Sequence, residues 1–204
     1  MFILISPENI IHNEGAIYNQ LFGEGLPFLH LRKPEVKEAY FLNLLEEIDP
    51  IYHSKIHLHH HHNLAHSYVI GGLHFTENHR KLLGENLDAE LERCIKAGLK
   101  SSTSIHSLVD YSPSQFNYYL LSPLFDSISK SGYLGKKIKL EKGFENIVGL
   151  GGISEFNLDQ AQALGYQNIA IMGAVWKSEK PLQSFQKIWR KFLEVYSPKI
   201  ENCA

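Results

Sequence analysis

Eight short strand-like runs, most of them apolar, with helix-like stretches between them constrain the fold of this chain more than any other feature. They lie near residues 2–6, 27–32, 55–59, 72–75, 99–104, 118–122, 147–151 and 168–172. Runs that are apolar along their length suit strands buried on both faces, and strict strand–helix alternation covers a parallel sheet on both sides. The expected fold class is therefore α/β, a single (β/α)8 barrel occupying residues 1–204. A chain of 204 residues with 44% hydrophobic content can bury one sizeable core but is short for two ordinary domains.

The intervening stretches carry helical periodicity. Leu182, Phe185, Ile188, Trp189, Phe192, Leu193 and Tyr196 form an apolar stripe down one face of a C-terminal helix. A second helix is expected over 35–48, with Pro34 suited to its first turn and Val36, Tyr40, Leu44 and Ile48 spaced four apart. A third carries Ile10, Ile17 and Leu21 and ends at Gly23 and Gly25. Residues 76–86 and 126–143 are polar and turn-rich, and read as loops, either over an active site or as solvated connectors.

Composition excludes several classes. A net charge of −2 without a long basic run argues against nucleic-acid binding, and no stretch approaches the roughly 20 apolar residues of a membrane helix. Met1 to Pro7 lacks the basic flank and cleavage site of a secretory signal and reads as a strand. Cys94 and Cys203 show no ligand or disulfide spacing, so a cytoplasmic location is expected. Oligomeric state, including a homo-oligomer, is left open.

Several apolar runs stop abruptly at small, hydroxylic or cationic residues, as strands do where a barrel presents backbone N–H groups to an anion. Gly151-Gly152 follows the seventh run, with Ser154 placed to cap a helix, and Met172-Gly173-Ala174 follows the eighth. Ser127, Ser129 and Lys130 follow the sixth, where two hydroxyls and an ammonium can reach one anionic group. Arg32 ends the second, and fits either a phosphate contact or a surface ion pair. His106, between Ser104 and Ser107 at the end of the fifth, is either a proton-transfer group working near neutral pH or a buried structural histidine.

The compositional anomaly is histidine: His57 and the run His59-His60-His61-His62. Neutral imidazole is a good ligand for zinc, nickel or copper, but adjacent strand residues point to opposite faces. Only one or two of these rings are expected to face a cavity.

Taken in order, these segments resemble the thiamine phosphate synthase / TenI family of TIM barrels over roughly residues 1–195. His30-Leu31-Arg32 stands where the family has Gln-x-Arg, and Pro34 where it has a lysine, with Lys33 displaced by one. Ser102-Thr103-Ser104-Ile105-His106 matches Gly-x-Ser-x-His, and Ser122 to Lys130 matches Gly-Pro-x-Phe-x-Thr-x-Thr-Lys. Gly151-Gly152-Ile153 matches the phosphate loop and Ile169 to Gly173 the last phosphate strand.

The resemblance implies thiamin biosynthesis on a small-molecule thiazole phosphate. Gly151, Gly152, Met172 and Gly173 would hold the phosphate, with His30, Arg32, Ser104, Ser127 and Ser129 lining the rest. His106 and Lys130 would be the catalytic residues. Synthases of the family join a pyrimidine diphosphate to the thiazole phosphate and use magnesium, whose ligand positions here carry His60 and His79. Glu77 or Asn78 would take over only through a shift of one or two residues. Magnesium prefers oxygen, so a TenI-like tautomerase with no cofactor, moving one proton through His106, is the favoured expectation. A synthase using magnesium with altered ligands, and a non-catalytic phosphate binder, are the alternatives.

Overall fold

Each of the eight runs becomes a strand, including the hydroxylic fifth. The computed structural model describes residues 1–126 and 134–197. The strands are β1 (Phe2–Ile5), β2 (Phe28–Leu31), β3 (Ile56–Leu58), β4 (Gly72–Phe75), β5 (Lys100–Ile105), β6 (Tyr118–Leu121), β7 (Ile147–Leu150) and β8 (Asn168–Ile171). They pair in chain order, all parallel, and β8 closes on β1 through Phe2 opposite Ile169 and Leu4 opposite Ile171. The fold is a single (β/α)8 barrel.

The helices are α1 (Glu14–Gly23), α2 (Glu38–Glu47), α3 (Glu77–Leu83), α4 (Leu87–Lys96), α5 (Leu158–Ala163), α6 (Gly173–Trp176) and α7 (Pro181–Tyr196). The stripe on α7 packs as its spacing requires, burying Phe185, Ile188, Phe192 and Val195. Phe2 of β1 meets Phe185, Trp189 and Phe192 edge-on, with ring centroids 6.1, 5.1 and 5.1 Å away. Burial of each such ring stabilises the fold by roughly 1.5–3 kcal/mol. Leu193 falls off the stripe and is exposed.

Three local expectations need correction. Helix α2 begins at Glu38, so Pro34 sits four residues ahead of it rather than in its first turn. Helix α1 begins at Glu14, which leaves Ile10 outside it and exposed. The polar stretch after β4 is helix α3 and not a loop: Thr76 caps it by accepting the His79 N–H at 3.2 Å. None of its residues is buried, so the apolar stripe that announces a helix is missing and the capping threonine is the remaining signal. Residues 134–141 are irregular, as expected. Among the described residues no helix is long and apolar enough to cross a membrane.

The inner lining of the barrel divides into two chemistries. Ile3 and Ile5 from β1, Leu120 from β6, Val148 from β7 and Ala170 from β8 pack as one apolar cluster. Facing them, β2 to β5 bury His30, His57, His74 and Ser102. Gly72 on β4 makes room for this second half, because a Cβ there would lie 2.5 Å from Nδ1 of His57.

Candidate functional site

The imidazoles inside the barrel form a continuous network. His30 Nδ1 lies 2.8 Å from His59 Nε2, and His30 Nε2 lies 2.7 Å from the Tyr118 hydroxyl, which also reaches His57 Nδ1 at 2.8 Å. His74 stacks on His59 with centroids 3.9 Å apart and meets the Ser102 and Ser104 hydroxyls at 2.9 and 3.1 Å. Burial holds His30, His59 and His74 well below the usual histidine pKa, reinforced by their mutual repulsion, and lowers His57 to about 4. All four are neutral near pH 7. His30, expected among the substrate contacts, is instead fully buried with both ring nitrogens engaged by protein groups.

The histidine run departs from the one-or-two-ring expectation. Strand β3 ends at Leu58 and the chain turns through a left-handed residue at His61, φ 54°, so strand alternation no longer applies. His59, His60, His61 and His62 all line a single cavity of about 520 Å³, together with His79 from α3. His60 and His79, the two magnesium positions implied by resemblance, are thus brought to one place. Among the described residues no carboxylate lines this cavity; its oxygen donors come from Asn63, Thr76 and Asn78. Of the nearby carboxylates, Glu77 is exposed and paired with Lys81 at 2.6 Å, and Glu38 accepts from the Asn63 amide at 3.0 Å and lies 3.6 Å from His61 Nδ1. Such a donor set does not fit magnesium.

His106 sits at the end of β5 and is exposed rather than buried. Its Nδ1–H donates to the Ser122 carbonyl at 2.9 Å, the strand end of β6. That bond selects the tautomer whose Nε2 is free to accept a proton. Lys136 donates to the His106 carbonyl at 2.7 Å, which ties the β6 connection over the end of β5. His106 and Ser104 share a cavity of about 540 Å³ with Arg80 and Lys81. Arg80 was missed in the sequence because α3 was not seen; its guanidinium donates to the Ser104 carbonyl at 3.2 Å, and its buried Nε has no partner.

Arg32 pairs with Glu8, and its backbone is clamped by Ser6, whose hydroxyl accepts from the Arg32 N–H at 2.7 Å. Lys33 turns inward, fully buried, to Glu14 at 2.8 Å and to the carbonyls of Pro7 and Asn9. Gly151 and Gly152 follow β7 with φ of 101° and 66°, and a Cβ on Gly152 would strike the Asp126 carbonyl at 2.2 Å. Glycine is required there for the close approach of the β6 loop. Ser154 does not cap α5: its N–H is bound instead by the Asn157 side chain at 2.9 Å. Met172 and Gly173 occupy the matching turn after β8. Ser127, Ser129 and Lys130 lie outside the described residues.

No family model and no curated protein matches the sequence. Solved structures do match the fold. Thiamine phosphate pyrophosphorylase from Bacteroides thetaiotaomicron is 22% identical over 93% of this chain and 96% of that one, with a TM-score of 0.71. Its counterpart from Pyrococcus furiosus is 14% identical over 95% and 96%, with a TM-score of 0.72. The chain has the fold of the thiamine phosphate pyrophosphorylases. 3-Hexulose-6-phosphate synthase from Salmonella typhimurium also matches, at 10% identity over 96% of this chain and all of that one, with a TM-score of 0.60. Different activities share this barrel, so the choice of chemistry rests on the site.

Proposed function

We propose that the chain is a thiamin-biosynthesis enzyme that binds a thiazole phosphate and isomerises its ring by proton transfer through His106. The observation that carries this reading is the His106 ring: Nδ1 is committed to the Ser122 carbonyl, leaving Nε2 as a base at the strand end. Nε2 takes a proton from ring carbon and the resulting imidazolium returns one to the isomeric position, so no electrons or groups leave. The glycine turns after β7 and β8 would receive the phosphate through backbone N–H groups, and Arg32 and Arg80 supply positive charge beside the mouth. The imidazole-lined cavity supports isomerase over synthase chemistry, because diphosphate departure needs oxygen-held magnesium.

A second reading, thiamine phosphate synthase, is favoured by the names of the two structural neighbours. One preparation decides, assayed in parallel for ring isomerisation and for pyrophosphate release from both synthase substrates. Isomerisation that persists in chelator and falls by about 10²–10⁴-fold in His106→Asn is the expected result. Pyrophosphate release abolished by chelator would replace the proposal with the synthase. Phosphate-ligand binding without either turnover would leave a non-catalytic binder.

A further inference from the structure

We propose that His30, His59 and His74 form a binding site for a divalent transition-metal ion of the zinc class inside the barrel. One ring nitrogen from each residue lies within 4.8 Å of the others, and all three residues are buried. They come from β2, from just past β3 and from β4: the register sets His30 beside His57 and His57 beside Gly72, so His59 and His74 lie two residues further along their strands and lean over His30.

Their chemistry suits such an ion. Imidazole binds metal in its neutral form, and burial keeps these rings neutral. Between His30 Nδ1 and His59 Nε2, 2.8 Å apart, there is room for one proton. An ion held at 2.0–2.1 Å by tetrahedral ligands separates their nitrogens by about 3.3 Å, so replacing that proton requires the pair to open by about half an ångström. His74 must also rotate out of its stack on His59 to direct a lone pair at the same point.

Outer partners are already in place. His30 keeps its other nitrogen on Tyr118, and His74 has a serine hydroxyl at each nitrogen, so either can ligate while the opposite side stays held. His59 is the exception: it would ligate through Nε2, and its buried Nδ1 on the other side has no outer partner among the described residues. Access comes through the histidine-lined cavity, which His59 also lines and which extends to the exposed Asn78 and Leu82. Three neutral nitrogens leave the ion's charge unbalanced, so a fourth, anionic oxygen donor such as hydroxide would enter from this side. The site is independent of the isomerase reading, since its test needs no turnover.

The test uses untagged full-length protein stripped by chelator and titrated with Co²⁺, followed by zinc competition and metal analysis. The expected result is one Co²⁺ per chain with visible bands of tetrahedral intensity, displaced by an equivalent of Zn²⁺. Binding should be lost in His74→Ala and retained in the double variant His60→Ala/His79→Ala. Because His74→Ala could unfold the barrel, Ser102→Ala serves as a milder probe, expected to weaken affinity about 10–100-fold with unchanged circular dichroism. Absence of stoichiometric metal in folded wild-type protein overturns the proposal. So does binding that survives His74→Ala but vanishes in the double variant, which would move the ion to the outer cavity.

Discussion

Two buried polar networks flank β2, and only one of them is complete. At its C-terminal end, Lys33 donates to Glu14 and to two backbone carbonyls, while Glu14 also accepts from the Tyr18 and Tyr40 hydroxyls. Every proton of the ammonium has an acceptor, which is the condition under which a buried pair is tolerated. Inside the barrel, His30, His57, His59 and His74 share protons with Tyr118 and two serines, yet His59 Nδ1 is left without a partner. The complete network ties the loops after β1 and β2 together and has nothing left to bind; the incomplete one has capacity for a ligand.

Acid should separate the two most strongly. The four interior imidazoles have folded pKa values below the ordinary 6.5, so the unfolded chain takes up protons that the folded chain refuses. Their contribution is fully present above about pH 7 and is lost progressively as pH falls below about 6.5, through about 4 for His57 and on the same acid side for the other three. Urea unfolding at a series of pH values should show this loss; stability that is flat between pH 7 and 5 would mean the rings are not buried together.

Breaking the complete network comes next. Lys33→Met leaves the Glu14 carboxylate buried without its cation and should cost about 3–5 kcal/mol in denaturant unfolding. A loss below about 1 kcal/mol would show that water reaches Glu14 and that the contrast between the networks is false. Tyr118→Phe removes the hydroxyl that joins His30 to His57 and should cost about 1–3 kcal/mol, since it orphans two ring nitrogens in the less complete network. The smallest effect is expected at Arg32. Its pair with Glu8 is partly exposed, so Arg32→Ala should change stability by under about 1 kcal/mol while weakening phosphate-ligand binding measured by calorimetry.

Most strands were legible because a strand buried on both faces writes itself as a continuous apolar run; β5, Lys-Ser-Ser-Thr-Ser-Ile, is hydroxylic and was placed by the alternation of its neighbours. Helix α3 was not, since a short helix with no buried side chain leaves no stripe to read. Arg80 was hidden with it. His106 was legible as a strand-end residue, but its exposure and its bond to Ser122 depend on a strand that follows in the chain. The Lys33–Glu14 pair is 19 positions apart and has no sequence signature. The inward histidines did leave a trace: His57 and His59 are two apart, the period of one strand face, and His30 and His74 sit in the neighbouring strands.

From its own residue order the chain determines the succession of strands and helices, and hence a parallel barrel, because periodicity and turn chemistry are local. Only closure of the barrel decided which rings meet. Register between β2, β3 and β4 turns three histidines from separate segments into neighbours, while the left-handed bend at His61 sends the rest of the run to the cavity outside. Convergence of side chains depends on how strands stagger against one another, and that is a property of the packed sheet.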